Sequence, residues 1–280
     1  MNINTVNDLL IRAQTQLHHI ESARLDAEIL LVCALNTSRE QLYSYPDKIV
    51  SNDLVANYQS MISSRADNYP VAYLTGAKEF WSIVFQVNQH TLIPRPETEL
   101  LIETALGLIP SEGELTILDL GAGSGAIAIS IAKERPKSMV VAIDISEESL
   151  AMARKNAASN IIFNITFKQS DWLSEFTTEV FDVVLCNPPY VDSQDSGFLD
   201  GEIRYEPRIA LDGGHLGMQC FNTIVPSALK YMRSGAYLVL EHGYNQGDSL
   251  RRLLMQNKFK NAKTVCDYAG LERVSYARRP

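Results

Sequence analysis

The chain is poor in cysteine, has no long apolar run and carries no excess of positive charge. Four cysteines occur in 280 residues, Cys33, Cys186, Cys220 and Cys266, and no two form a C-x-x-C pair. That spacing excludes a zinc-ligand pattern and a disulfide framework, so no metal site is expected and a reducing, cytoplasmic setting is. No apolar run approaches the roughly 20 residues of a membrane-spanning helix, and no membrane partner is expected. The opening Met1-Asn2-Ile3-Asn4-Thr5 lacks the basic stretch and apolar core of a signal peptide. A formal charge of −8 argues against a broad basic surface, and with it against direct nucleic-acid binding. Internal repeats and low-complexity segments are absent too.

What is present suits a globular protein: 46% hydrophobic and 21% charged residues, in a chain long enough for two domains. Residues 1–75 read as a bundle of short helices. Asn4 or Thr5 can cap the first, which carries Val6, Leu9, Leu10, Ala13 and Leu17 on one face. The second shows Leu25, Ile29 and Leu30 at helical spacing, with Asp26 and Glu28 outside that stripe. Nothing in the bundle has a catalytic pattern. Residues 76–96 read as a β-hairpin linker, with a strand over 78–87 pairing with Leu92-Ile93 across Asn88-Gln89-His90. Residues 97–280 alternate strand and helix. Strands are predicted at 115–120, 139–143, 165–168, 181–186 and 236–241, with helices between them. Two final strands, 262–267 and 273–277, join at Ala269-Gly270. The fold class is therefore α/β, a doubly wound and mostly parallel sheet closed by an antiparallel hairpin.

Two turns on this sheet carry chemistry. Leu118-Asp119-Leu120-Gly121-Ala122-Gly123-Ser124-Gly125-Ala126 lies between a strand and a helix, where glycines allow close approach to a ligand. With Asp144 about 20 residues on, it also fits a relaxed dinucleotide pattern, so a nicotinamide dehydrogenase competes. Three features weigh against it. Asp119 would repel a pyrophosphate but could receive an ammonium group. Gly125 widens the turn. The second turn, Asn187-Pro188-Pro189-Tyr190, has no role in hydride transfer. A cofactor with an adenosine, an α-amino acid and no phosphate fits better, namely S-adenosylmethionine. Asp144 is then expected to hold ribose hydroxyls, Asp171 the adenine amino group, and Trp172 an apolar wall.

The second turn follows the apolar strand Phe181-Asp182-Val183-Val184-Leu185-Cys186, which two prolines stop. Its chemistry points to a planar nitrogen. Such a nitrogen has a delocalised lone pair and is a poor nucleophile. Two acceptors on its N–H bonds, the Asn187 side-chain oxygen and the Pro188 carbonyl, would aim that lone pair and stabilise the developing positive charge. Pro189 stiffens the turn, and Tyr190 offers a ring face to the planar group.

With these residues in hand, the chain resembles the Rossmann-like amino-group methyltransferases. It resembles most closely the bacterial release-factor glutamine methyltransferases. The resemblance covers most of the chain. It is carried by Arg24-Leu25-Asp26-Ala27-Glu28-Ile29-Leu30-Leu31, by Pro70 to Gly76, by Leu92-Ile93-Pro94-Arg95-Pro96-Glu97-Thr98-Glu99, and by the two turns. Later segments, Gln169 to Trp172, Arg204 to Pro207 and Leu240 to Gly243, add to it. It implies a protein substrate: the glutamine of the Gly-Gly-Gln loop of class I peptide chain release factors, methylated on its side-chain amide nitrogen. It also implies that Gly121, Ala122, Gly123, Ser124, Gly125, Asp144, Trp172 and Asn187 bind cofactor, and that Asn187, Pro188, Pro189 and Tyr190 bind substrate. The helical domain would help dock that substrate. Asp119, Asp171, Arg95, Glu97 and Glu206 are further candidates from the residues alone, Glu206 equally readable as a loop anchor. The loop over 191–215 reads as mobile until a partner binds, its acids solvated. The alternatives are a DNA or RNA adenine methyltransferase, which the acidic balance disfavours, and a non-catalytic nucleotide binder, which the intact acceptor pair disfavours.

Overall fold

A computed structural model describes residues 4–178 and 180–280. The chain forms two compact units, Met1–Ala77 with Leu199–Tyr205, and Lys78–Phe198 with Glu206–Pro280.

The first unit is helical: α1 (Val6–Gln16), α2 (Ala23–Leu35), α3 (Arg39–Ser44), α4 (Asn52–Ala66) and α5 (Val71–Thr75). Thr5 starts α1 with a reciprocal capping box. Its hydroxyl accepts from the Asp8 backbone N–H at 3.1 Å, and the Asp8 carboxylate accepts from the Thr5 N–H at 3.3 Å. Val6, Leu9, Leu10 and Ala13 then meet Ala27, Leu30 and Leu31 of α2 and Val55, Tyr58 and Ile62 of α4 in one core. Each fully buried leucine there contributes roughly 1.5–3 kcal/mol.

The phase of α2 differs from the sequence expectation. Leu25 is 46% exposed, whereas Asp26 and Glu28 are buried. The reason is charge pairing, largely from other helices, which periodicity cannot register. Arg65 of α4 donates to Asp26 at 2.7 Å. Arg24, Arg39 and the Tyr43 hydroxyl all donate to Glu28. A carboxylate met this fully can go inside; unpaired, it could not. The segment Leu199–Tyr205 joins this unit through an Arg65–Glu202 ion pair at 2.8 Å and a Tyr205 hydroxyl donating to the Asp67 carbonyl at 2.9 Å.

The hairpin also differs. β1 (Ala77–Phe80) pairs with β2 (Ile83–Gln86), not with Leu92-Ile93. The chain reverses at Trp81-Ser82, both at positive φ (51° and 52°), the backbone of a tight two-residue hairpin turn. Glycine or asparagine would announce such a turn; tryptophan and serine do not. Tertiary bonds hold it instead, from the Trp81 N–H to Glu99 at 2.8 Å and from the Trp81 indole N–H to Glu134 at 3.0 Å.

The rest of the second unit is a seven-stranded sheet. Its strands are β3 (Thr116–Leu120), β4 (Met139–Asp144), β5 (Ile165–Gln169), β6 (Phe181–Cys186), β7 (Met232–Glu241), β8 (Lys260–Cys266) and β9 (Glu272–Arg278), ordered β5-β4-β3-β6-β7-β9-β8. The first five in that order run parallel, and β9 and β8 close the sheet antiparallel. Ile117, Leu118, Val140, Ala142, Val183 and Val184 are buried to within 1%, as strands covered on both faces require. The flanking helices are α6 (Glu99–Leu108), α7 (Ala126–Glu134), α8 (Glu147–Ser159), α9 (Gln219–Ala228) and α10 (Gly247–Gln256). The strand expected over 236–241 begins earlier, β7 starting at Met232, because the register pairs Met232 with Phe181 across a bulge.

Register decides where the chemistry falls. Leu120 lies opposite Ile143 on one side and Cys186 on the other. The residues following these three positions are Gly121, Asp144 and Asn187. They leave the sheet side by side at its carboxyl edge, where the strand order reverses around β3.

Candidate active site

A cavity of about 440 Å³ opens at that edge. The turn after β3 supplies Gly121 and Gly123 to its wall; the ends of β4 and β6 supply Asp144 and Asn187. Gly121, Gly123 and Gly125 all sit at positive φ (80°, 54° and 85°), which folds the turn back beneath the cavity. The Gly121 and Ala122 N–H groups both donate to the Ile143 carbonyl, at 2.9 and 2.8 Å. That leaves the Gly123 N–H for Asp144, which accepts it at 2.8 Å on one oxygen and the Ser146 N–H at 2.9 Å on the other. Burial raises the Asp144 carboxyl above its ordinary range against those two bonds.

Of the residues expected to hold cofactor, Gly121, Gly123, Asp144, Asp171, Trp172 and Asn187 line the cavity. Ala122, Ser124, Gly125 and Asp119 lie behind it. The Ser124 carbonyl accepts from Asn156 at 2.9 Å, and a Cβ on Gly125 would stand 2.8 Å from Ile129. Asp119 is fully buried; one oxygen accepts from the Ala128 N–H at 3.1 Å and the other has no hydrogen-bond partner. Burial, with the Asp144 charge nearby, pushes its carboxyl up to about 7.

Of the four-residue turn, Asn187 and Pro189 reach the cavity. Pro188 is buried, and Tyr190 packs on the core with its hydroxyl donating to Glu241 at 3.2 Å. Burial raises the Tyr190 phenol. Asn187 donates its amide N–H to the Thr98 hydroxyl at 3.2 Å. The turn is braced from behind. The Gly213 N–H donates to the Val191 carbonyl at 2.8 Å, and Gln246 donates to the Tyr190 carbonyl at 2.9 Å. Gly217, at φ 66°, presses so closely that an added Cβ would collide with that same carbonyl.

Arg95 and Glu97 do not line the cavity. Arg95 pairs with Glu206, which also accepts the Ile93 N–H at 3.0 Å, so Glu206 anchors its loop. Beyond that anchor the chain turns Pro207, Ile209 and Ala210 into the far wall. Leu92 and Ile145 supply further apolar surface. Sequence reasoning missed these residues, although Ile145 directly follows a strand-end acid, where an apolar side chain meets whatever that acid holds.

The wall includes three acids, Asp144, Asp171 and Asp212, and among the described residues no lysine or arginine. A pyrophosphate there would meet only like charge, save for backbone N–H groups already engaged. A cation with an apolar, planar portion fits, and it would relieve the repulsion between Asp119 and Asp144.

Residues 96–203 match the methyltransferase small domain family, and residues 8–76 match the PrmC N-terminal domain. The release factor glutamine methyltransferase of Shewanella oneidensis is 40% identical over 92% of this chain and 90% of its own. That of Escherichia coli K12 is 38% identical over 96% and 97%. Among solved structures, the 16S rRNA methyltransferase of T. thermophilus, determined in complex with AdoMet and guanosine, shares the sheet architecture. Its TM-score is 0.52 at 20% identity, covering 73% of this chain and 50% of that one.

Proposed function

The chain belongs to the release factor glutamine methyltransferases, and from that membership we propose that it methylates the side-chain amide nitrogen of the Gly-Gly-Gln glutamine in class I peptide chain release factors. S-adenosylmethionine supplies the methyl group, carried on a sulfonium. Gly121, Gly123, Asp144, Asp171 and Trp172 form its seat, Asp144 taking the ribose hydroxyls and Asp171 the adenine amino group. Asp119 acts from beneath the turn, by charge rather than by touch. Trp172, at φ 49°, gives the wall a planar face.

The observation that carries the reading is the tethering of Asn187. Its amide nitrogen gives one N–H to Thr98, which fixes the amide and leaves its oxygen to accept an N–H. That oxygen and the Pro188 carbonyl grip the two N–H bonds of the glutamine amide, direct the lone pair toward the methyl carbon, and stabilise the charge that builds on nitrogen. No general base is required, because an N-methylated amide cation is acidic enough to lose its proton to water. The four thiols are free, in keeping with a cytoplasmic setting, and no helix among the described residues is long and apolar enough to cross a membrane.

The test offers labelled S-adenosylmethionine with a release factor, its Gly-Gly-Ala counterpart, or duplex DNA. Label is expected on the first alone. Label on DNA, or equal label on the alanine counterpart, overturns the substrate. Asn187→Ala is expected to depress turnover by about 100-fold or more, with cofactor affinity changed only a few-fold. Equal loss of both would show that Asn187 serves binding and not transfer.

A further inference from the structure

The turn after β6 cannot be held through its prolines. Pro188 and Pro189 have no N–H to give, and the Pro188 carbonyl is the one proposed to meet the substrate. The entry to the turn is fixed by the sheet, where Cys186 lies opposite Leu120 on one side and Leu240 on the other. Its exit is fixed by a side chain from 56 positions further along the chain, Gln246, which immediately precedes α10 and is buried. The Gln246 amide nitrogen donates to the Tyr190 carbonyl at 2.9 Å and to the Leu216 carbonyl at 3.1 Å. Its amide oxygen accepts the Gly243 N–H at 2.8 Å.

This amide sits only one way round. Turned over, it would set its nitrogen against the Gly243 N–H and its oxygen against two carbonyls, donor against donor and acceptor against acceptors. The root of the side chain is fixed too. The Gln246 N–H donates to the Gly243 carbonyl, and the Gln246 carbonyl accepts from the Leu250 N–H inside α10, both at 2.9 Å. One side chain thus ties three pieces of chain together: the catalytic turn, the 211–217 segment behind it and the connection from β7 to α10. There is no slack in the tie. A Cβ added at Gly217 would stand 2.5 Å from the Gln246 amide nitrogen, besides its collision with the Tyr190 carbonyl.

We propose that Gln246 is a positioning residue for methyl transfer, fixing the Tyr190 carbonyl and through it the direction of the Pro188 carbonyl that accepts from the substrate nitrogen. This rests on the reading of the turn as the grip on a planar nitrogen. The prolines make the connection stiff. The peptide bond between Pro188 and Pro189 is planar and the Pro189 ring fixes its own φ, so the Pro188 carbonyl and that ring move as one piece. Between this piece and the Tyr190 carbonyl the soft torsions are ψ of Pro189 and the two of Tyr190. Tyr190 is restrained at both ends: its ring packs on the core with the hydroxyl on Glu241, and its carbonyl is held by Gln246. Gln246 does not line the cavity, so its effect falls on the acceptor and not on the cofactor's seat.

The experiment measures methyl transfer to a full-length release factor at saturating S-adenosylmethionine, well below each variant's unfolding midpoint, with cofactor affinity measured in parallel. Gln246→Glu keeps the length of the side chain and the oxygen on Gly243, but sets its second oxygen against the Tyr190 and Leu216 carbonyls. Gln246→Met keeps the length and removes all three bonds. Each should lower kcat by roughly 10–100-fold, the scale of a misplaced reacting group, with cofactor Kd and release-factor KM within about threefold of wild type. Gly217→Ala, whose added carbon would displace the same carbonyl, should share that pattern, and it carries the test if neither Gln246 variant folds. A Gln246→Glu enzyme within about twofold of wild type would mean that Gln246 serves only to anchor Gly243, and it overturns the proposal; so does a loss of cofactor affinity as large as the loss of kcat. If Asn187→Ala is fully active, it is the reading of the turn that fails. If Asn187→Ala is impaired while the Gln246 variants are not, only the positioning role fails.

Discussion

The two units bury carboxylates in opposite ways. In the helical unit, Asp26 meets Arg65 and the Ser22 hydroxyl, while Glu28 meets two arginines and a tyrosine. In the sheet unit, Asp119 and Glu241 are each fully buried with one oxygen unpartnered. The consequence is visible in their acidities. Burial alone would raise Glu28, but hydrogen bonds from Tyr43, Arg39 and Arg24 outweigh it and leave the group below its ordinary range. Asp119 and Glu241, with fewer donors, rise to about 7. Full pairing marks an acid that holds a fold together. Incomplete pairing leaves an acid whose charge answers to its surroundings instead.

The contrast can be broken experimentally, beginning where the effect is largest. Removing one partner of a buried pair strands the other charge, so Arg65→Ala should cost about 3–5 kcal/mol. Urea unfolding followed by helical circular dichroism reads this directly, and a loss under 1 kcal/mol would erase the distinction between the two sets.

A middle-sized effect concerns pH. Between its ordinary value and about 7, Asp119 holds a proton in the folded chain that it has lost in the unfolded one. Its contribution to stability therefore falls as pH rises through that window. Asp119→Asn should remove this slope, at most about 1.4 kcal/mol per pH unit. Glu28 works in the opposite sense: its contribution is present above its ordinary value and is lost as pH falls through its lowered one. Unfolding midpoints of wild type and Asp119→Asn across pH 4–8 separate the two, and parallel curves would contradict the assignment.

The smallest expected effect is that of Tyr43→Phe, which removes one of the three donors to Glu28 and should cost about 1 kcal/mol. The same unfolding measurement checks it. A much larger loss would mean that Glu28 is poised as precariously as Asp119.

Much of the sheet was legible in the residues because β3, β4 and β6 are runs of the right length and composition, and the turns after β3 and β6 carry glycine or proline, whose effect follows from local stereochemistry. The turn at Trp81-Ser82 was not, because its positive φ values are imposed by Glu99 and Glu134 rather than favoured by its own residues. The phase of α2 was misjudged for a related reason. Hydrophobic spacing favours Leu25 over Asp26 until an arginine 39 residues away turns the acid into the better inward residue.

The site divides in the same manner. Gly121, Gly123, Asp144, Asp171, Trp172 and Asn187 follow strand ends, and strand ends can be read in order along the chain. Thr98 and Glu241 carry no such mark. Thr98 meets Asn187 across 89 positions, and Tyr190 meets Glu241 across 51. What the amino-acid sequence determined by itself was the order of strands and turns and the placing of Asn187-Pro188-Pro189-Tyr190 at the end of an apolar strand. These depend on backbone sterics and on functional groups that a residue carries wherever it is placed. Only the tertiary structure decided which acids are paired, which are left short of donors, and which end of the Asn187 amide is held. Those are properties of neighbours, and register and packing alone bring the neighbours together.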